Sequence, residues 1–179
     1  MRGLLALFAK PRERARRAAA HFTGLVAQSR KVDFYESLGV PDTLDGRFDL
    51  MVMHASLYLK RLRAAGREGR ELAQAAFDNM FDNLDQSLRE MGVGDVTLPK
   101  KVRAMVSAFY GRAAAYDNAL ADTRPEPLAD ALVRNIYAGK APDEAIVERL
   151  SAYLRSAAKS LLEASDETIL NNQYRWPEP

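Results

Sequence analysis

The chain has 179 residues, a length that suits one domain with a single hydrophobic core. Its hydrophobic fraction of 47% and charged fraction of 28% are typical of a globular protein and argue against general disorder. The sequence has no cysteine and two histidines, which excludes thiolate metal sites, histidine-rich metal sites and cysteine nucleophiles.

The charge is unevenly distributed along the chain. Residues 1–31 hold eight basic side chains and one acidic side chain, a net charge of +7. The whole chain has a net charge of +2, so residues 32–179 have a net charge of −5. A basic arm on an acidic body predicts contact with an anionic surface, either lipid or nucleic acid. The early apolar run at residues 4–9 is far shorter than the ~20 residues that span a bilayer. It also precedes most of the positive charge, the reverse of a secretory signal.

The spacing of apolar residues predicts an all-α, single-domain bundle of about six or seven helices. β-Branched residues are sparse, and no stretch alternates as a strand would. Prolines and glycines set the boundaries. The predicted helices open at Pro11 and then cover residues 31–38, about 47–65, 71–91, 99–120, 128–138 and 142–164.

Several glycines and prolines have an expected role in this pattern. Gly66 and Gly69 are expected to break the chain between two helices. Gly111 lies inside a helical pattern, where it would allow a close helix crossing. Residues 124–127, Arg-Pro-Glu-Pro, read as a stiff linker.

The first helix is basic and amphipathic, with arginines opposite Ala18, Phe22 and Leu25. It either lies on an anionic membrane face or packs on its own domain with its arginines solvated. The candidate membrane-surface residues are Arg12, Arg14, Arg16 and Arg17. We therefore divide the chain into a basic N-terminal arm (1–31), a helical domain (32–170) and a C-terminal tail (171–179). The tail holds Trp176, which either clamps along the bundle or lies loose.

The helix predicted at 71–91 has an apolar seam and an acidic face. Its seam residues recur at spacings of four, three, four and three, which predicts that they face the core: Phe77, Phe81, Leu84, Leu88 and Met91. Gly92 is expected to stop the helix at the first position beyond its C-cap. The acidic face holds Asp78, Asp82 and Asp85 at i, i+4 and i+7.

Three interpretations compete for this acidic face. A di-metal carboxylate bundle would need a glutamate three residues before each histidine, but Met51 and Ala18 occupy those positions. A magnesium-dependent helical prenyl-diphosphate enzyme could use Asp78 and Asp82, and would need a second acidic cluster on a facing helix. The third interpretation is a solvated face that could also grip a partner.

The other catalytic motifs that we considered are absent from the sequence. No phosphate-binding loop or dinucleotide fingerprint occurs, and the serines lack a credible triad. His54 lies in a helix without a second ligand at a suitable spacing, which favours a structural histidine. We therefore predict no catalytic residue, no metal site and no cofactor.

Three segments in order carry a family resemblance. They are Asp-Gly-Arg-Phe-Asp-Leu at 45–50, Leu-Arg-Glu-Met-Gly-Val-Gly-Asp at 88–95, and Phe-Tyr-Gly-Arg at 109–112. This set closely resembles the ubiquinol–cytochrome c chaperone family. The resemblance is strong from about Tyr35 to Leu120 and looser in the C-terminal helices.

The resemblance implies a non-enzymatic assembly factor for the complex that oxidises ubiquinol and reduces cytochrome c. Its implied client is immature cytochrome b, and the chain looks like a bacterial member at the cytoplasmic, inner face of the inner membrane. Ribosome contact and a small co-chaperone, which mitochondrial members use, are doubtful for a bacterial protein. We expect no nucleic-acid partner, because the body is acidic; a nucleic-acid-binding module that uses the basic arm is a further alternative.

The resemblance also directs attention to polar residues that could organise or rim a client surface. The candidate partner-binding residues are Asp45, Arg47, Asp49, Asp82, Asp85, Arg89, Glu90, Tyr110 and Arg112. Gly46, Gly92 and Gly94 are expected to fix turns. Each polar residue could instead serve intramolecular capping and ion pairing.

Overall fold

The computed structural model describes residues 2–140 and 142–179, with side chains from residue 12 onwards in these ranges. Eight helices occupy this part of the chain, six of them ten residues or longer. In chain order they are α1 (Arg2–Ser29), α2 (Val32–Glu36), α3 (Leu44–Ala64), α4 (Gly66–Glu90), α5 (Leu98–Ala121), α6 (Glu126–Asn135), α7 (Glu144–Glu163) and α8 (Asp166–Leu170). The predicted all-α, single-domain fold is confirmed.

Helix α3 forms the centre of the bundle. Helices α1, α4, α5 and α7 pack around it, and nearly every residue from Phe48 to Leu59 is buried. A helix at the surface of a bundle has a single apolar face. Because α3 is enclosed on all sides instead, its polar residues Asp49 and His54 also lie in the interior, where they require partners.

The start of α3 depends on a cap and on a glycine. The Thr43 hydroxyl caps the helix by accepting a hydrogen bond from the Gly46 N–H at 3.1 Å. A Cβ atom at Gly46 would lie 2.1 Å from the carbonyl oxygen of Pro41. Glycine at this position therefore allows the chain before the helix to cross its first turn.

Several predicted boundaries are wrong. Helix α1 begins at Arg2 and runs through Pro11. Gly69 lies within α4, where a Cβ atom would be 2.0 Å from the carbonyl oxygen of Leu62, so its role is to allow a tight approach of α3. The predicted linker at 124–127 is partly helical, because α6 already begins at Glu126.

Two packing predictions also fail. A Cβ atom at Gly111 would meet open space, so no close helix crossing occurs there. Met91 does not complete the core seam of α4; it is the C-cap residue and is 53% exposed. The short helix α8 was not predicted, since five residues are too few to show a helical period.

The C-terminal tail clamps along the bundle. The Trp176 ring lies 5.0 Å from His54 and 6.0 Å from Tyr58, both on α3. The Tyr174 hydroxyl lies 2.5 Å from the Ser160 hydroxyl on α7. Of the two arrangements that the sequence left open, the structure adopts the clamped one.

Candidate functional site

The α4–α5 connection has a defined geometry. The Val93 N–H donates to the Leu88 carbonyl at 3.0 Å, and the Gly92 N–H donates to the Arg89 carbonyl at 2.9 Å. These two bonds, with Gly92 at a φ of +82°, form a Schellman motif that ends α4. Leu88 is buried and Val93 packs partly against the core, as the motif's hydrophobic contact requires. The predicted stop at Gly92 is confirmed.

Arg89 ties this connection to the helix. Its Nε donates to Asp85 at 2.7 Å, and one terminal nitrogen donates to Asp95 beyond the turn at 2.6 Å. Asp82 is exposed on the same helix, and Glu90 accepts a hydrogen bond from Gln86. The structure thus brings four of the predicted partner-binding residues together on the last turns of α4.

Gly94 belongs to the same connection but has no steric need to be glycine. Its carbonyl accepts hydrogen bonds from Thr97 and Leu98 at the start of α5. A Cβ atom there would meet no neighbour within 4 Å. The predicted turn-forming role of Gly94 therefore comes from its carbonyl and not from the missing side chain.

An apolar surface lies beside this connection and along α5; we call it the α4–α5 surface. Three of its residues are well exposed, and three more on α5 are half-buried. The exposed residues are Met91 (53%), Val96 (97%) and Tyr110 (51%), and the half-buried residues are Val102, Met105 and Val106. Tyr110, one of the candidate partner-binding residues, therefore lies on the outside.

Aromatic rings support this surface from below. Phe77 lies 4.7 Å from Phe81 and 5.1 Å from Phe109, measured between ring centroids. The centroid of the Tyr110 ring lies 5.7 Å from that of the Phe77 ring. These spacings suit edge-on and tilted aromatic packing, which stabilises the α4–α5 contact and limits the movement of Tyr110.

Asp49 and Arg112 meet inside the protein. An Arg112 terminal nitrogen lies 2.7 Å from the Asp49 carboxylate, and both side chains are largely buried between α3 and α5. Burial raises the pKa of Asp49 to about 6 and outweighs the attraction of Arg112. Tyr116, one turn beyond Arg112, is buried beside them, and burial raises its pKa as well. The sequence left open whether these residues face a partner or each other, and the structure pairs them with each other.

Asp45 and Arg47 lie elsewhere, in the first turn of α3. Both are exposed, and Arg47 donates to Asp42 at 2.6 Å. Arg47 also borders a recess of about 390 Å³ between α1, α3 and α4, which includes the flexible side chains of Met51 and Met80. The predicted partner-binding residues therefore fall on separate parts of the molecule and not on one face.

The second half of the predicted N-terminal arm is packed into the bundle. Ala18 and Leu25 are buried, and α1 lies along α4. Arg14 pairs with Glu71 on α4 at 2.7 Å, and Arg17 pairs with Glu68. Arg16 pairs within its own helix with Glu13. Arg12, Arg14, Arg16 and Arg30 are exposed, so the packed part of the range still offers positive charge to an outside surface.

A buried hydrogen-bond network surrounds His54, and sequence reasoning did not find its members. The Leu50 carbonyl lies 2.9 Å from Nδ1, so the neutral ring must donate from Nδ1. Nε2 then accepts from the Tyr153 hydroxyl at 2.7 Å, and Gln28 donates to the same hydroxyl at 3.0 Å. Burial lowers the pKa of His54 to about 3, so the ring is neutral. The predicted structural role is confirmed.

The geometry does not favour the magnesium enzyme. Asp78 and Asp82 are exposed, and Gln74 donates to Asp78 at 2.8 Å. Within residues 12–140 and 142–179, whose side chains the structure describes, no group of three or more histidines and carboxylates is arranged to hold a metal ion. In the same ranges, no helix has the length and apolar character to cross a membrane.

Comparison with known proteins agrees with the sequence resemblance. Residues 36–176 match the family described as Ubiquinol-cytochrome C chaperone. Ubiquinol-cytochrome-c reductase complex assembly factor 1 from Xenopus laevis is 30% identical over 139 residues, which cover 77% of this chain and 68% of that protein. The mouse protein of the same name is 27% identical over 156 residues, 87% of this chain.

A solved structure is similar over almost the whole chain. The crystal structure of the Cbp3 homolog from Brucella abortus has a TM-score of 0.85 and 32% identity, and the match covers 98% of this chain and 97% of that one. By contrast, the match spans 52% of the mouse relative. The matched range includes α3 to α8 and reaches Trp176 in the tail. The chain therefore belongs to the ubiquinol-cytochrome C chaperone family.

Proposed function

We propose that this protein is a non-enzymatic chaperone that promotes assembly of the ubiquinol–cytochrome c reductase complex by binding immature cytochrome b. The names of its relatives, complex assembly factor 1 in Xenopus laevis and mouse, support the assembly role. A chaperone of this kind covers apolar surface on its client until haem and partner subunits arrive. It needs an apolar surface of its own and no catalytic group.

The observation that carries the proposal is the α4–α5 surface. Val96 is almost fully exposed, and Met91 and Tyr110 are each about half exposed. Exposed apolar side chains at one helix connection and along the helix that follows favour a role in binding, because each one costs hydration free energy while it faces water. A client that covers them recovers that free energy, at roughly 25 cal/mol for each Å² of apolar surface buried.

Polar residues at the edge of this surface can orient a client. Asp82, Asp85, Arg89 and Glu90 lie on the last turns of α4, next to Met91. Arg89 holds the connection on both sides, so the surface is pre-organised and loses little conformational entropy on binding. These four residues, with Tyr110, are the partner-binding predictions that fit a client surface; Asp45 and Arg47 would belong to a separate contact.

The experiment is capture of labelled cytochrome b from cells that make it, using the purified chaperone with a tag. The test variant is Val96→Asp, and the matched control is Val32→Asp, because Val32 is also exposed, at 59%, and lies on α2. We expect Val96→Asp to reduce capture by about tenfold and the control to leave it unchanged. Equal capture by both variants would show that the α4–α5 surface is not the client site.

Charge reversal of Asp82 and Asp85 gives an independent test of the rim. Both side chains are at least partly exposed, so replacement by lysine should leave helicity, measured by circular dichroism, unchanged. Capture should fall, because complementary charges at the rim speed association and fix its register, and charge reversal removes that complementarity. If capture is unaffected, the acidic face of α4 is a solvated surface and not part of the site.

The cellular location follows as part of the same proposal. A client that spans the membrane would be met at the inner face of the bacterial inner membrane. Arg12 and Arg16, which remain exposed, would attract anionic lipid there. Contact with the ribosome or a small co-chaperone is not part of this proposal, and the arm's pairing with Glu68 and Glu71 argues against a nucleic-acid site.

A further inference from the structure

An apolar groove, separate from the α4–α5 surface, lies between α3, α5 and α7. It has a volume of about 630 Å³. Leu57 and Leu161 form part of its floor, and Leu120 lines it from α5. Leu162 stands at its edge on α7 and is 79% exposed. The groove shares no lining residue with the α4–α5 surface.

The rim of the groove carries a net positive charge. Four cationic side chains and two carboxylates line it: Lys60, Arg61, Arg155, Lys159, Asp117 and Glu163. Arg61 also pairs with Asp166 at 2.7 Å, which leaves one positive charge in excess, on Arg155. Arg155 donates to the main-chain carbonyls of Asp122 and Arg124 at 3.3 and 2.9 Å. These carbonyls hold the guanidinium in place without cancelling its charge.

The two lysines on the rim also keep binding capacity. Lys60 contacts Asp117 at 2.9 Å, and the pair is exposed on both sides. Lys159 lies 3.9 Å from Glu163, too far for a hydrogen bond. Both ammonium groups can therefore donate to additional carboxylates.

We propose that this groove binds an amphipathic helix of another protein, with apolar residues at i, i+4 and i+7 and carboxylates on both sides of that stripe. The groove follows α7 from Arg155 to Leu162, which corresponds to about 11 Å or two helical turns. That length matches three anchor residues on a docked helix. The excess of cations on the rim selects an acidic partner.

Two other occupants fit less well. A second copy of this chain would have to offer an acidic amphipathic helix, and α4 has acidic residues but buries its apolar seam in its own core. An anionic lipid concentrates its charge in one headgroup, whereas the cations of the groove are spread along its rim. The mixed rim instead suits a helix whose flanks place carboxylates at some positions and neutral residues at others.

The test uses a fluorescein-labelled peptide of about 15 residues, with leucine at i, i+4 and i+7, glutamate on the flanks and alanine elsewhere. A matched peptide has lysine in place of each glutamate. Fluorescence anisotropy with the full chain should show at least about tenfold tighter binding of the glutamate peptide, weakened by added salt. Equal binding of the two peptides, or no binding of either, would overturn the proposal.

Two variants locate the site, and neither removes a buried group. Leu162→Asp should weaken binding of the glutamate peptide by about tenfold, and Lys159→Glu should also weaken it. Val96→Asp should leave peptide binding unchanged, which separates this groove from the proposed client site. If Leu162→Asp has no effect on peptide binding, the groove is not the site.

Two further outcomes would name a different occupant and reject the helix. Sedimentation that shows a dimer of the native chain and a monomer of Leu162→Asp would assign the groove to a second copy. Vesicles with anionic lipid that bind the native chain, lose binding with Leu162→Asp and compete with the peptide would assign it to lipid. A monomer whose peptide binding is unaffected by vesicles supports the proposal.

Discussion

Replacement of His54 by glutamine should remove a large part of the acid sensitivity of the fold. His54 is fully buried and neutral, with its pKa lowered from 6.5 to about 3 because burial disfavours the imidazolium. In the unfolded chain the imidazole takes up a proton below about pH 6.5. The unfolded state therefore binds more protons between pH 3 and 6.5, so stability falls as the pH is lowered through this range and is fully present above it.

The size of the effect follows from the two pKa values. At pH 4.5 the unfolded imidazole is almost fully protonated while the native one is not, which lowers the free energy of unfolding by about 3 kcal/mol relative to pH 7.5. Asp49 acts in the opposite direction, because its pKa is raised to about 6 by burial. Between pH 4 and 6 the Asp49 carboxyl keeps its proton in the native state and has lost it in the unfolded state. The contribution of Asp49 to the free energy of unfolding therefore falls as the pH rises through this range. The native protein alone would show a blunted pH dependence.

Comparison with His54→Gln isolates the histidine. Glutamine does not titrate, and Asp49 is present in both proteins, so its contribution cancels in the difference. Urea denaturation followed by circular dichroism at pH 7.5, 6.5, 5.5 and 4.5 and constant ionic strength measures both curves. The stability advantage of the native protein should shrink by about 3 kcal/mol from pH 7.5 to 4.5. Parallel curves would refute the inference that His54 is buried as the neutral form.

Three other changes test the packing and the arm. Gly46→Ala should lower the free energy of unfolding by about 1–3 kcal/mol, because the new Cβ would lie 2.1 Å from the Pro41 carbonyl; urea denaturation measures this, and a neutral or stabilising effect would contradict the close approach. Trp176→Ala should cost about 2 kcal/mol in the same assay, since the half-buried ring packs on α3, and an unchanged midpoint would mean that the tail is detached in solution. Reversal of Arg12 and Arg16 to glutamate should reduce flotation with anionic vesicles at low salt without altering the melting temperature; unchanged flotation would reject the arm as a membrane contact.

Local pattern predicted the helices where their ends have a local cause. Gly92 ends α4 through bonds made within a few residues, so this end could be predicted from the sequence. The boundary at Gly69 was wrong for a related reason. A glycine can mark a helix end or a close approach of two helices, and the sequence near it does not distinguish them.

Long-range contacts could not be predicted from spacing along one helix. His54 and Tyr153 are 99 residues apart and meet because α7 packs on α3. Arg14 and Glu71 are 57 residues apart, and their pairing turns much of the predicted basic arm into part of the bundle. Periodicity shows which face of a helix is apolar, but it does not show which helix covers that face.

The run Leu88–Asp95, which carries the family resemblance most specifically, is explained by structure for most of its length. Leu88 and Val93 supply the hydrophobic contact of the Schellman motif, Gly92 supplies its positive φ, and Arg89 reaches Asp95 across the turn. None of these roles requires an apolar side chain directly after the run, where Val96 is 97% exposed. The exposed Val96 side chain costs hydration free energy, and it contributes nothing to a turn that other residues already hold in place. That combination favours a surface built to meet another protein.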